Sequence, residues 1–365
     1  MSTLPILPHW PDPVPLELAA MSDIAECRAL LREGSYTFFA ASLLLPRAVR
    51  HPASALYAFC RLADDAVDKE GDQHAALAQL RERLHAACQG RPGSIAADRA
   101  LAAVMARFRI PRALPEALLE GFSWDLEGRR YETLAELQDY GARVAGTVGA
   151  MMALLMGVRS AEGLARACDL GVAMQLSNIA RDVGEDARMG RLYLPRQWLR
   201  EAGVDPDAWL AQPVFNAAIA ATVRRLLDAA QMLYDRVDAG VAQLPLGCRP
   251  GINAARYLYA EIGHEVARRG LDSLSQRARV APTRKAVLML RSLVHLLPRV
   301  PEQAAPVLDA TRFLVDACIP GHFGSGAAPA PIPWWDVTSR MVWVLQLFER
   351  LERQEQARHI SSTAV

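Results

Sequence analysis

Leu170-Gly171-Val172-Ala173-Met174-Gln175-Leu176-Ser177-Asn178-Ile179-Ala180-Arg181-Asp182-Val183-Gly184-Glu185-Asp186 is an apolar run broken at regular intervals by polar residues. Gln175, Asn178, Asp182 and Asp186 fall at i, i+3, i+7 and i+11, which is one face of a helix. Asp182 and Asp186 sit one turn apart and repel each other. A carboxylate pair on an apolar helix calls for a compensating cation, because buried charge is costly unless paired. Oxygen donors of this kind suit a hard divalent metal such as Mg²⁺, which keeps positions open for phosphate. The plainer reading is a solvated face with an Arg181–Glu185 pair at i, i+4, worth a few tenths of a kcal/mol.

A second acidic cluster lies upstream in Tyr57-Ala58-Phe59-Cys60-Arg61-Leu62-Ala63-Asp64-Asp65-Ala66-Val67-Asp68. Tyr57, Arg61, Asp64 and Asp68 share one helical face. Alone, this stripe reads equally well as an exposed face with an Arg–Asp pair. Two such clusters in one chain point to a pocket that holds several divalent metals. Downstream of Asp186, the basic, Gly-containing run Ala187 to Pro195 would fold over bound phosphates, or would simply end a helix, where Arg is favoured.

The rest of the chain keeps the helical period. Leu77, Leu80, Leu84 and Ala87 recur with Arg and Glu between them, and Val223, Leu226, Leu227, Ala230, Leu233, Tyr234 and Val237 hold the rhythm for four turns. No alternating strand pattern emerges, so the fold class is all-α. Breaks fall at Gly90–Gly93, Ile110-Pro111, Leu114-Pro115, Leu194-Pro195 and Leu244–Gly251. Residues 1–20 read as a flexible N-terminal segment and 21–319 as one helical domain. Residues 320–365 read as a Pro/Gly-rich linker and a C-terminal amphipathic helix.

The chain has 365 residues, 52% of them apolar, enough for a substantial core. Its 41 Lys and Arg balance 40 Asp and Glu, which argues against a nucleic-acid partner. Six cysteines without CxxC spacing read as thiols in a reducing compartment. Residues 1–20 lack the basic and apolar regions of a signal peptide. The uncharged stretch Val144–Val158 is shorter than a membrane span. The expected location is cytoplasmic, with peripheral contact on the inner face of the membrane left open.

These segments resemble the squalene and phytoene synthase family of head-to-head isoprenoid synthases. Asn178 through Pro195 is close to the family's second signature and Tyr57 through Asp68 to its first. Val144-Ala145-Gly146-Thr147-Val148-Gly149, preceded by Tyr140, resembles a third block; Ser35-Tyr36 leading into Leu43-Leu44-Leu45-Pro46 resembles the N-terminal one. The resemblance implies an isoprenoid synthase fold, a single helical domain around a central cavity. It implies Asp64 and Asp68 facing Asp182 and Asp186 across the mouth, with Asn178 assisting, and Mg²⁺ (Mn²⁺ as substitute) bridging them to two prenyl diphosphates. Ser35, Tyr36, Arg61, Arg181, Arg191 and Tyr193 would contact substrate near the diphosphates, and Tyr140, Gln175 and Tyr259 would line the cavity.

Within the family, bacterial phytoene synthases of carotenoid biosynthesis fit best. The second signature reads Asp-Val-Gly-Glu-Asp, and Arg277-Ala278-Arg279-Val280 with Arg284-Lys285 resembles their late basic segment. The implied reaction joins two geranylgeranyl diphosphates through a cyclopropyl diphosphate, without NADPH, and the implied partner is a downstream carotenoid desaturase. The alternatives are a dehydrosqualene or squalene synthase using farnesyl diphosphate, a chain-elongating prenyltransferase or terpene cyclase, and a non-catalytic helical relative. The second cluster lacks the Asp-Asp-x-x-Asp form of the elongating enzymes, and a non-catalytic relative would be expected to lose aspartates that are present here.

Overall fold

A computed structural model describes residues 18–68, 72–294, 296 and 305–319. The readings for residues 1–17 and 320–365, including the C-terminal linker and helix, lie outside the described residues. In chain order the helices are α1 (Leu18–Gly34), α2 (Tyr36–Ser42), α3 (Arg47–Asp68), α4 (Gln73–Cys88), α5 (Ala96–Phe108), α6 (Ala113–Leu126) and α7 (Leu134–Gly141). A π-helical segment, Ala142–Gly146, leads into α8 (Thr147–Leu155). Then come α9 (Ala161–Arg188), α10 (Arg196–Glu201), α11 (Pro206–Ala211), α12 (Ala217–Gln243), α13 (Arg249–Arg268), α14 (Pro282–Val294) and α15 (Arg312–Cys318). No strand occurs among the described residues.

Local chemistry explains most of the boundaries. Ser35, Asp72, Thr133, Ser160, Asp205 and Asn216 each accept a hydrogen bond from a first-turn N–H of the helix that follows. Gly90 and Gly190 take positive φ just past α4 and α9, where a side chain would be strained. Two expected breaks move slightly. Pro115 lies inside the first turn of α6, and Pro250 and Gly251 inside α13. A proline there removes only an N–H that has no intrahelical partner.

The long helices α9 and α12 pack along each other and form the centre of the molecule. Leu164, Cys168, Val172, Leu176 and Ala180 of α9, with Val223 and Leu226 of α12, are fully buried. The α9 surface also carries the π segment and α8. That approach is close enough that a Cβ on Gly171 would run into the Ala145 carbonyl. Ala150, Met151, Ala153, Leu154 and Leu155 of α8 are packed in the core. At the far end of α9, the buried Asp169 carboxylate meets Arg166 at 2.9 Å and Arg236 at 3.2 Å. Arg166 also donates to the Ala305 and Pro306 carbonyls at 3.0 Å each, fastening the chain before α15 to the two central helices.

Candidate active site

The C-terminal half of α9 carries the polar face expected for it. Gln175, Asn178, Asp182 and Asp186 are all half-buried there. Among the described residues, Asn178 Oδ1 is buried without a hydrogen-bond donor. Burial first, and then repulsion from Asp182, pushes the Asp186 carboxyl up to about 7, although Arg191 pulls it the other way. Asp186, Arg191 and Tyr193 line one small pocket together with Ile179, Val183 and Trp209. The run after α9 therefore does fold back on the acidic face.

Asp182 is held differently. Its carboxylate accepts from Arg181 Nε and Nη2 at 2.7 and 2.5 Å, and from Arg277 Nε at 2.9 Å. Arg277 Nη1 also lies 3.2 Å from Glu185. The Arg181–Glu185 pair is thus replaced by an arginine from a distant loop. Glycine at position 184 permits that loop to dock: its N–H donates to the Ser273 carbonyl at 3.1 Å, and a Cβ there would strike the Leu274 carbonyl.

Sequence spacing missed Asp125, at the end of α6. It accepts from Tyr140 Oη at 2.9 Å and from Tyr193 Oη at 2.7 Å. The rings of Tyr140 and Tyr193 stack with centroids 5.2 Å apart, and Tyr131 joins them 5.3 Å from Tyr140. Burial raises the Tyr140 hydroxyl well above its ordinary value, and that of Tyr193 as well, so both stay protonated donors. The sequence signal for Asp125 is an acid within the mostly apolar stretch Ala117–Leu126 of α6, and it names no partner.

The first signature lies on α3. Arg61 pairs with Asp64 at 3.2 Å and with Asp65 at 2.7 Å, and all three side chains are substantially exposed. This is the Arg–Asp pairing of the plainer reading, at a rim and not in the core. The side chains of Asp68 and Tyr36 lie outside the described residues. Ser35 caps α2, accepting from Phe38 N at 3.3 Å, and also meets the buried Tyr259 hydroxyl. The Phe38 ring packs 5.2 Å from Tyr259 and 6.3 Å from Tyr57, so an aromatic series runs from α3 through α2 to α13.

Among the described residues, no three carboxylate, imidazole or thiol groups converge into a ready metal cluster. The donor set on α9 nevertheless fits a hard cation. It consists of oxygen ligands alone, one of them an unsatisfied buried carbonyl and another a carboxylate whose charge burial and Asp182 oppose and a cation would offset. All six cysteines are free thiols, four of them buried. No described helix is long and apolar enough to cross a membrane.

Comparison with known proteins agrees with this geometry. The family model for squalene/phytoene synthase matches residues 31–312. A phytoene synthase from Rhodobacter capsulatus is 52% identical over 82% of this chain and 91% of its own length. One from Cereibacter sphaeroides is 50% identical over 86% of each chain. Among solved structures, a dehydrosqualene synthase in complex with ligand superposes with a TM-score of 0.71 at 31% identity, covering 76% of this chain and 97% of its own.

Proposed function

The chain belongs to the squalene/phytoene synthase family, and from that premise we propose that it is a phytoene synthase: a prenyltransferase that condenses two geranylgeranyl diphosphates head to head in carotenoid biosynthesis. The observation that carries this reading is the clustering of Arg181, Arg277 and Arg191 around the Asp182 and Asp186 face. Acids and arginines interleaved at one helix end suit a metal-bound diphosphate: the acids hold the metal, and metal and arginines together balance the diphosphate's negative charge.

The family generally uses a divalent metal, and we assign Mg²⁺ to Asn178, Asp182 and Asp186, with Asp64 and Asp68 of the other signature completing the set. Bound there, Mg²⁺ would stabilise the charge that develops on the departing diphosphate. Arg181, Arg191 and Arg277 supply further positive charge at the same end, and Arg61 of the first signature is assigned to the same diphosphates. Tyr140 and Tyr193, held by Asp125, present fixed hydroxyls and aromatic faces beside Asp186. Ser35 is assigned to the diphosphates, and Gln175 and Tyr259 to the cavity that takes the prenyl chain. Ionisation of one substrate releases its diphosphate and leaves an allylic cation; the double bond of the second attacks it, and loss of a proton closes the ring of a cyclopropyl diphosphate. A second ionisation, rearrangement and proton loss yield the conjugated triene. The buried aromatic walls keep water from the cations.

The test is incubation of the protein with Mg²⁺ and either the twenty- or the fifteen-carbon prenyl diphosphate, without NADPH. A forty-carbon triene supports the proposal. A thirty-carbon product from the shorter substrate alone transfers the assignment to the dehydrosqualene reading. Absence of any hydrocarbon from folded protein overturns both.

A further inference from the structure

Helix α14 has two unlike faces. Leu288 and Ser292 are buried on the side packed against α13. On the opposite side Val287, Leu290, Leu293 and Val294 are 55%, 66%, 46% and 80% exposed. Four of the eleven large apolar side chains exposed among the described residues thus share one helix, whereas the others are scattered.

The charge around this face is one-sided. From Ser273 to Val294 the chain carries Arg277, Arg279, Arg284, Lys285 and Arg291 and no acid, although the whole chain is nearly neutral at +1. Arg277 is paired with Asp182 and Glu185, and Arg284 with Glu261, so the charges offered to a partner are those of Arg279, Lys285 and Arg291. On the helix, Arg291 flanks the apolar face on one side and Lys285 on the other. An apolar stripe rimmed by basic residues is the pattern of a helix lying in the boundary between lipid headgroups and acyl chains.

Position gives the pattern a purpose. The loop entering α14 is the one that hydrogen-bonds to Gly184 and sets Arg277 on Asp182. The exposed face therefore belongs to the helix that this loop enters. On the reading given above, the substrate is a diphosphate carrying a long hydrocarbon tail that partitions into a bilayer, and the product is a hydrocarbon that dissolves there and not in water.

We propose that the exposed face of α14 docks the protein on an anionic lipid surface. The inference rests on the assigned reaction for its purpose, but its test uses no substrate.

The full chain would be sedimented with phosphatidylcholine vesicles, with and without phosphatidylglycerol, across a salt series. Binding is expected to require the anionic lipid and to weaken as salt rises. The variant Leu290→Glu/Leu293→Glu is expected to lower the partition coefficient about tenfold or more. Neutralising Arg279 and Lys285 to Gln is expected to lower it by about fivefold per charge, on the anionic vesicles only. Thermal stability and product formation in detergent should stay as in the wild type. Wild-type binding by the Leu290/Leu293 variant overturns the proposal. So does a shift in the monomer–dimer ratio with vesicle binding unchanged, which assigns the face to a second copy. A fall in melting temperature with vesicle binding unchanged also overturns it, and assigns the face to the chain's own residues 320–365. Loss of product formation alone, with vesicle binding intact, refutes the assigned reaction and leaves the docking surface standing.

Discussion

Asp182 and Asp186 share one helix face but differ in their neighbours. Asp182 is neutralised by Arg181 and Arg277, whereas burial and the Asp182 charge push Asp186 up to about 7. Asp182→Asn is expected to lower product formation about 10²-fold or more with an unchanged circular dichroism spectrum. Wild-type turnover by that variant would remove Asp182 from the chemistry. Asp125 has a separate duty as the common acceptor of Tyr140 and Tyr193. Asp125→Asn is expected to cost roughly 1.5–3 kcal/mol, because two hydrogen bonds lose their charged acceptor. An unaltered denaturation midpoint would show that the tyrosines are placed by packing alone. Periodicity exposed the α9 face because its members are three and four residues apart. It gave no sign of Asp125, whose partners are 15 and 68 residues away, or of the Arg277 contact with Asp182, which spans 95. Spacing along a helix reports neighbours on that helix and is silent on pairs made through space.

Among the helices, α13 and α14 are joined by a charged clamp. Glu261 is buried, and its carboxylate receives Arg268 at 2.7 Å and Arg284 at 2.9 Å. Burial alone would raise this carboxyl, but the hydrogen bonds from Arg284 and Arg268 outweigh it and hold it at about 2. A carboxyl that titrates lower in the folded protein contributes its stability in full above about pH 4.5 and loses it as pH falls toward about 2. Both arginines are half exposed, so solvent screening limits the contribution to roughly 1–2 kcal/mol. Acid titration of stability should show this loss in the wild type and a flatter profile in Glu261→Gln. Identical profiles would mean that the clamp contributes nothing. The helices themselves were legible in the sequence, because apolar period, capping residues and Pro/Gly breaks agree. The clamp was not, since Arg284 read only as part of a basic segment.

For the molecule as a whole, the test of the acidic face is linkage. A ligand that binds only the folded state at a hundred times its Kd adds about 2.7 kcal/mol, which should raise the melting temperature by roughly 3–6 °C. Mg²⁺ with inorganic diphosphate is expected to produce that rise in the wild type and not in Asp182→Asn. An equal rise in both would place the binding elsewhere. The all-α architecture followed from composition and period, but closure of the chain on itself did not. The buried Arg166–Asp169–Arg236 cluster, which fastens residues 305–306 to α9 and α12, joins positions more than a hundred residues apart in the chain.

The Arg277 contact has a bearing on both ends of this arrangement. Its guanidinium staples the loop before α14 to α9 through the very carboxylate assigned to the chemistry. Whatever engages Asp182 competes with that staple and loosens the loop, and with it the root of α14. Where two events draw on one contact, each shifts the other by the same factor. On the docking proposed above, lipid that grips α14 would alter how readily Asp182 is released to substrate, and a loaded site would alter how firmly the face holds lipid. Substrate binding and lipid binding would then be coupled through a single arginine.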